Sequence, residues 1–239
     1  MINQHLEQLK TKIKNKERLI GTGVWLTDTS VSEHLGTIGF DFVWIDQEHP
    51  GFTKEHIRSH ILASELSGMV TFVRVTDHNP STVKPILELA PDGVIFPMVN
   101  SAADAENVVA ACLYPPDGIR GYGPTRADRF GSIPNEEYVR DVAGTFWRIM
   151  QIEHVDGVKN LDEILSVKGV DAIVVGPNDL SASIGLLGQH RHPDVMKLMD
   201  EIADTCNRRG VPFGVSMGYH EQNITDWINR GASMLEIGL

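Results

Sequence analysis

Short apolar runs alternate with amphipathic stretches along the whole of this 239-residue chain. Eight of the runs read as strands: 19–26 (LIGTGVWL), 42–46 (FVWID), 69–75 (MVTFVRV), 93–99 (GVIFPMV), 146–153 (FWRIMQIE), 170–176 (VDAIVVG), 212–217 (PFGVSM) and 233–238 (SMLEIG). They are short, rich in β-branched and aromatic residues, and bounded by Gly, Pro, Asp or Asn. The stretches between them carry helical spacing. Residues 102–112 are the clearest case, with Ser101 placed as N-cap, Asp104 and Glu106 early in the helix, and Pro115 beyond its end.

Strands and helices in strict alternation predict parallel pairing through right-handed crossovers. Eight such units predict an α/β fold of the (β/α)8 TIM-barrel type. It forms one domain over residues 1–239, opened by an N-terminal helix at about residues 2–16. The eighth strand ends the chain, so the eighth helix is absent from the pattern. An open doubly wound sheet is the competing arrangement. Its GxGxxG fingerprint is missing, because Gly21-Thr22-Gly23 lies inside the first strand and Leu26 stands where the third glycine is needed.

Charge changes the picture in one respect. A formal net charge of −11 disfavours nucleic acid and anionic membranes as partners, since both call for clustered Lys and Arg. The basic stretch from Lys10 to Arg18 reads as the solvated face of the first helix. The two cysteines, Cys112 and Cys206, fall in helical stretches without metal-ligand spacing and read as buried free thiols of a cytoplasmic protein. No apolar run approaches the roughly 20 residues that span a bilayer.

The active site of such a barrel lies at the C-terminal ends of its strands. The second strand ends Asp46-Gln47-Glu48-His49, and alternation places Asp46 and Glu48 on one face. These residues either cap the following loop or do chemistry. Arg74 closes the third strand, either paired with Asp77 at the surface or turned into the mouth to bind an oxyanion. In the fifth strand Gln151 and Glu153 share a face. The sixth runs into Gly176-Pro177-Asn178-Asp179. Alone, Asp179 reads as an N-cap. One strand away from Glu153, it makes a two-carboxylate site suited to a hard divalent cation with open positions. A Schiff-base lysine is not available, because Lys54, Lys84 and Lys159 fall in predicted helices and Lys168 precedes the sixth strand.

The segments FDFVWIDQEH (40–49), APDGVIFPMVNSAADA (90–105), YPPDGIRGYG (114–123), QIE (151–153), KNLDEIL (159–165) and GVDAIVVGPNDLS (169–181) together resemble the HpcH/HpaI aldolase family. The resemblance runs in order from about residue 21 to the C-terminus. It implies class II pyruvate aldolase chemistry. A 2-oxo-4-hydroxy acid is cleaved to pyruvate and an aldehyde through a metal-stabilised pyruvate enolate. It further implies that Glu153 and Asp179 hold the metal, with Mg2+ or Mn2+ expected and Co2+ an alternative. Gln151 orients water or substrate, Gly176 and Pro177 line the substrate site, and His49, paired with Asp46, is the base. Arg74 binds the keto oxygen. A dimer-based homo-oligomer, extending to a hexamer, is the implied assembly.

Three other readings stay open at this point. The scaffold also suits a decarboxylase of oxaloacetate-like acids, or an acyl-CoA lyase whose phosphates would need Arg120, Arg126 and Arg129 of the long 114–134 loop. The third is a non-catalytic barrel that binds a 2-oxo acid.

Overall fold

The computed structural model describes residues 4–238. The first two positions of the expected N-terminal helix, 2 and 3, and the final Leu239 lie outside the described residues. In chain order the elements are α1 (Gln4–Lys14), β1 (Leu19–Val24), α2 (Ser30–Thr37), β2 (Phe42–Asp46), α3 (Lys54–Leu66), β3 (Val70–Arg74), α4 (Pro80–Leu87), β4 (Gly93–Phe96) and α5 (Ala102–Cys112). There follow α6 (Asn135–Glu137), β5 (Trp147–Ile152), α7 (Val155–Lys159), α8 (Leu161–Ile164), β6 (Ala172–Val175), α9 (Pro177–Ala182), α10 (Pro193–Arg209), β7 (Phe213–Gly218), α11 (Glu221–Arg230) and β8 (Met234–Gly238). Each strand pairs in parallel with the next, and β8 closes on β1 through Leu19–Met234, Ile20–Leu235 and Gly21–Glu236. This is the closed (β/α)8 barrel that the sequence pattern predicts.

Period-two alternation divides the strand residues between two cores. Outward side chains such as Val43, Ile45, Val73, Val94, Met150 and Ile173 pack under the helices. Inward ones, among them Phe42, Trp44, Phe72, Ile95, Trp147, Ile149, Val174 and Met234, fill the barrel axis, and Leu6 and Leu9 of α1 join them at its base. Phe72 stacks on Trp147 with centroids 6.1 Å apart. Room for these rings comes from glycine on neighbouring strands. A Cβ on Gly21 would lie 2.2 Å from the Phe42 ring, and one on Gly93 would lie 2.8 Å from Phe72. Small-beside-large filling of this kind makes the lower barrel a solid plug, so chemistry is confined to the upper mouth.

Two predicted strands, β1 and β4, stop two and three residues early, for physical reasons. β1 leaves its ladder after Val24 pairs with Ile45. Trp25 and Leu26 therefore sit outside the strand and are exposed. β4 stops at Phe96, because Pro97 has no N–H for the ladder and Met98 adopts a left-handed backbone with φ +53°. Asp179 is not an N-cap: Gly176 holds that position in α9 and Asp179 lies in the first turn. Ser101 caps α5 as expected, accepting the Asp104 N–H at 3.1 Å.

The long loop after α5 is held by one buried cation. Arg120 is 2% exposed. It donates to Glu88 at 3.0 Å and to the Tyr138 hydroxyl at 3.4 Å, and stacks over the Tyr114 ring at 4.6 Å. Arg120→Leu would leave the Glu88 carboxylate buried without its partner. The expected loss of unfolding free energy in urea is about 3–5 kcal/mol, the usual effect of breaking a buried pair from one side.

Candidate active site

The ends of β2, β3, β5, β7 and β8 bring polar side chains to the inward face of the mouth. β2 and β3 run in register with Asp46 opposite Arg74. Arg74 Nε donates to Asp46 Oδ1 at 2.9 Å and Nη2 to Asp46 Oδ2 at 2.7 Å, a two-point fork, while Nη1 lies 3.1 Å from Glu48 Oε2. The guanidinium also lies over the Trp44 ring at 5.1 Å. Arg74 and Asp46 are both buried. The alternative partner Asp77 is not used; its Oδ1 accepts the Asn79 N–H instead. Arg74→Lys keeps the charge but loses the planar fork. A drop of about 2–3 kcal/mol in stability, from one or more lost charge-assisted bonds, is expected on thermal or urea unfolding.

The expected pairing of His49 with Asp46 is not formed. Asp46 is consumed by Arg74 and by the Glu48 N–H at 2.9 Å, so its carboxylate has turned into the barrel. His49 stands at the rim, largely exposed, with Nε2 3.9 Å from Glu48 Oε2. Its ring is parallel to Trp25, with centroids 6.4 Å apart. Glu48, which the sequence left evenly between loop cap and site, is thus the residue that links His49 to Arg74. Burial pushes its carboxyl above the usual range, opposed by the charge of Arg74.

Across the mouth, Gln151 and Glu153 follow each other on the inward face of β5 and its exit, both buried. Gln151 Nε2 donates to Glu153 Oε2, and the Met98 N–H donates to Glu153 Oε1 at 2.8 Å. The left-handed turn at Met98 follows β4 directly, beside this N–H. Strain of this kind concentrates where a site needs a particular backbone group. Gly176 is required for the same carboxylate: a Cβ there would stand 2.6 Å from Glu153 Oε2. The Glu153 carboxyl is raised to about 7, chiefly by burial, with the negative charges of Asp179 and Glu48 adding to the rise and the two hydrogen bonds it accepts opposing it.

Gly176, against the Glu153 carboxylate, is the N-cap of the helix whose first turn carries Asp179, so the two acids lie in one locality and their charges act on each other. Asp179 is exposed, its carboxylate accepts no hydrogen bond among the described residues, and buried Gln151 Oε1 has no partner. The donor set is therefore two mutually repelling carboxylates beside an orphaned amide oxygen, all oxygen. It fits a hard divalent cation that keeps positions for water and substrate. Among the described residues no three His, Cys, Asp or Glu side chains form a ready-made cage, so water or substrate oxygens would complete the shell.

Two residues at this mouth escaped the sequence reading. Trp25 was placed inside a strand. Glu236 was hidden in an apolar run, although its alternation with inward Met234 was a usable signal. Two of the three arginines of the long loop are committed elsewhere: Arg120 pairs with Glu88, and Arg126 with Glu65.

Comparison with known proteins agrees with this geometry. The family model described as HpcH/HpaI aldolase/citrate lyase matches residues 22–239. The chain is 36% identical over 212 residues to a hydroxypyruvate/pyruvate aldolase of Roseobacter denitrificans (strain ATCC 33942 / OCh 114), covering 86% of this chain and 82% of the relative. It is 32% identical over 232 residues to a 5-keto-4-deoxy-D-glucarate aldolase of Escherichia coli O139:H28 (strain E24377A / ETEC), covering 97% and 90%. The crystal structure of an HpcH/HpaI aldolase/citrate lyase family protein from Burkholderia cenocepacia J2315 superposes with a TM-score of 0.90 at 29% identity, over 97% of this chain and 92% of that one. With motif, barrel and strand-end geometry in agreement, the chain belongs to the HpcH/HpaI aldolase/citrate lyase family.

Proposed function

We propose that this member of the lyase family is a divalent-metal-dependent pyruvate aldolase that cleaves 2-oxo-4-hydroxy acids to pyruvate and an aldehyde. The observation that carries the reading is the meeting of Glu153, Asp179 and the unpartnered Gln151 Oε1 at the mouth that also holds Arg74 and His49. A cation held by Glu153 and Asp179, Mg2+ or Mn2+ by donor type, would supply Lewis-acid polarisation of the keto oxygen. The chain's own groups do the rest. Asp46 and Glu48 fix the plane of the Arg74 guanidinium, whose remaining N–H groups face the growing enolate charge. Gly176 lets the backbone approach Glu153 and Gln151 closely, and Pro177 after it opens α9, beside the 2-oxo acid. His49 takes the proton from the C4 hydroxyl, the C3–C4 bond breaks with its electron pair passing to the enolate, the aldehyde leaves as its carbonyl forms, and protonation of the enolate at C3 gives pyruvate and returns the proton. Glu48, 3.9 Å from His49, favours the imidazolium that results.

An acyl-CoA substrate is less well supported, because two of the three loop arginines that its phosphates would need are paired with acids. The test is pyruvate release from a 2-oxo-4-hydroxy acid, from oxaloacetate and from a malyl-type thioester, each with Mg2+, with Mn2+ and in excess chelator. Release from the hydroxy-oxo acid that stops in chelator is the expected result. Turnover that survives chelation would sink the metal scheme. Metal and pyruvate binding with no release from any of the three would favour a 2-oxo-acid sensor.

A further inference from the structure

The mouth holds one buried carboxylate that the cleavage scheme does not use. Glu236, on β8, is 5% exposed. Its Oε1 accepts the Gly23 N–H of β1 at 2.7 Å, and its Oε2 accepts the Ser216 hydroxyl of β7 at 2.7 Å. Ser216 and Glu236 are register partners, so both point inward. Both stand at or beyond the midpoints of their strands, toward the end of the barrel that carries the proposed site. The Trp25 indole lies nearby: a Cβ on Gly23 would meet Trp25 Nε1 at 2.8 Å and Glu236 Oε1 at 3.2 Å.

The donor count then fixes a polarity. A serine hydroxyl has a single proton, and Glu236 takes it. What Ser216 offers its surroundings is an oxygen acceptor. Ser216 also lines a cleft with Pro177 and Asn178, the neighbours of Asp179. That cleft shares Pro177 and Asn178 with the turn that carries Asp179, and Glu236 lies near Trp25, whose ring is parallel to that of His49, the base for the C4 hydroxyl. The cations of the cleft are engaged. Arg191 donates to Asn223 and Asp226, both at 3.1 Å, and Arg230 Nε donates to Asp200 at 2.7 Å. The His190 ring is bonded to Asn178 Oδ1.

We propose that Ser216 is a substrate-binding residue of the aldehyde subsite and that Glu236 is its positioning residue, together restricting the enzyme to uncharged, hydroxylated aldehydes. The assignment rests on the lyase reading above and names its substrate class. The aldehyde's hydroxyl donates to Ser216 Oγ. A carboxylate-bearing aldehyde meets that acceptor with the Glu236 charge behind it, and among the described residues lining the cleft every arginine already has an acidic partner. Rejection by an unpaired or repelled polar group is the stronger half of most specificity.

The test runs the reaction in the condensing direction, with pyruvate, Mg2+ and one of glycolaldehyde, propanal or glyoxylate, and reads kcat/KM for each. Ser216→Ala is expected to lower the glycolaldehyde-to-propanal ratio by about tenfold, the effect of one lost hydrogen bond. In Glu236→Gln the amide oxygen keeps the Gly23 N–H and the amide nitrogen faces Ser216, turning the serine proton outward. The glyoxylate-to-glycolaldehyde ratio is then expected to rise by about tenfold or more. Each readout is a ratio within one preparation, so loss of folded enzyme cancels, and Ser216→Ala decides alone if Glu236→Gln does not fold. Wild-type ratios in active variants would overturn the assignment. A wild type that condenses pyruvate with none of the three would overturn the lyase reading, and this one with it.

Discussion

Glu153→Ala is expected to bring pyruvate release down to the level of the wild type in chelator, a loss of about 10³-fold or more, because several kcal/mol of charge stabilisation depend on the ion. Asp179→Ala should do the same. The two variants differ in what they do to the metal-free protein. Removing Glu153 removes a buried acid whose carboxyl is raised to about 7 by burial and by its acidic neighbours. The sign follows from its ordinary value of 4.5. Between these limits folding takes up a proton, so the neutral form stabilises below pH 4.5 and that contribution is lost as pH rises through 7. A cation must displace the same proton. Its apparent affinity is therefore expected to climb by about tenfold per pH unit between 5 and 7 and then flatten, a profile titration calorimetry with Mn2+ can read. Affinity independent of pH over this range would remove Glu153 from the ligand set.

His49→Ala is expected to slow cleavage of a 2-oxo-4-hydroxy acid by about 10²–10⁴-fold, the usual effect of a positioned base. Oxaloacetate decarboxylation needs no proton taken from a C4 hydroxyl and is expected to fall far less. Mn2+ binding should persist, because His49 lies at the rim beside Glu48 and Trp25, not among the carboxylates on β5 and α9. Equal losses in both reactions would show that His49 shapes the site without acting as the aldol base.

How far the site was legible differs from residue to residue. Glu153 and Asp179 stand at the ends of consecutive strands, and the barrel rule alone brings such ends to one mouth. Gln151 and Glu153 share a face because alternation is a local property. The partner of Arg74 was not legible. Asp77, three positions along, was as good a candidate as Asp46, 28 positions away, until the register of β2 against β3 placed Asp46 directly opposite. The same register took Asp46 from His49 and left Glu48 in its place. Glu236 was read only as part of an apolar run, since its partner Gly23 lies 213 positions earlier and meets it only when the barrel closes.

The sequence by itself determined the eight strands, their order and the side of each strand that every residue occupies, because these follow from periodicities of two and of about 3.6 within short windows. Only the tertiary structure decided which inward residue faces which: the Asp46–Arg74–Glu48 cluster, the Glu236–Ser216 pair across β7 and β8, and the backbone turn at Met98 that holds Glu153. Those neighbours depend on the stagger of strands around a closed barrel. Stagger is set by the packing of large rings against glycines in the whole interior, and no local window of sequence carries it.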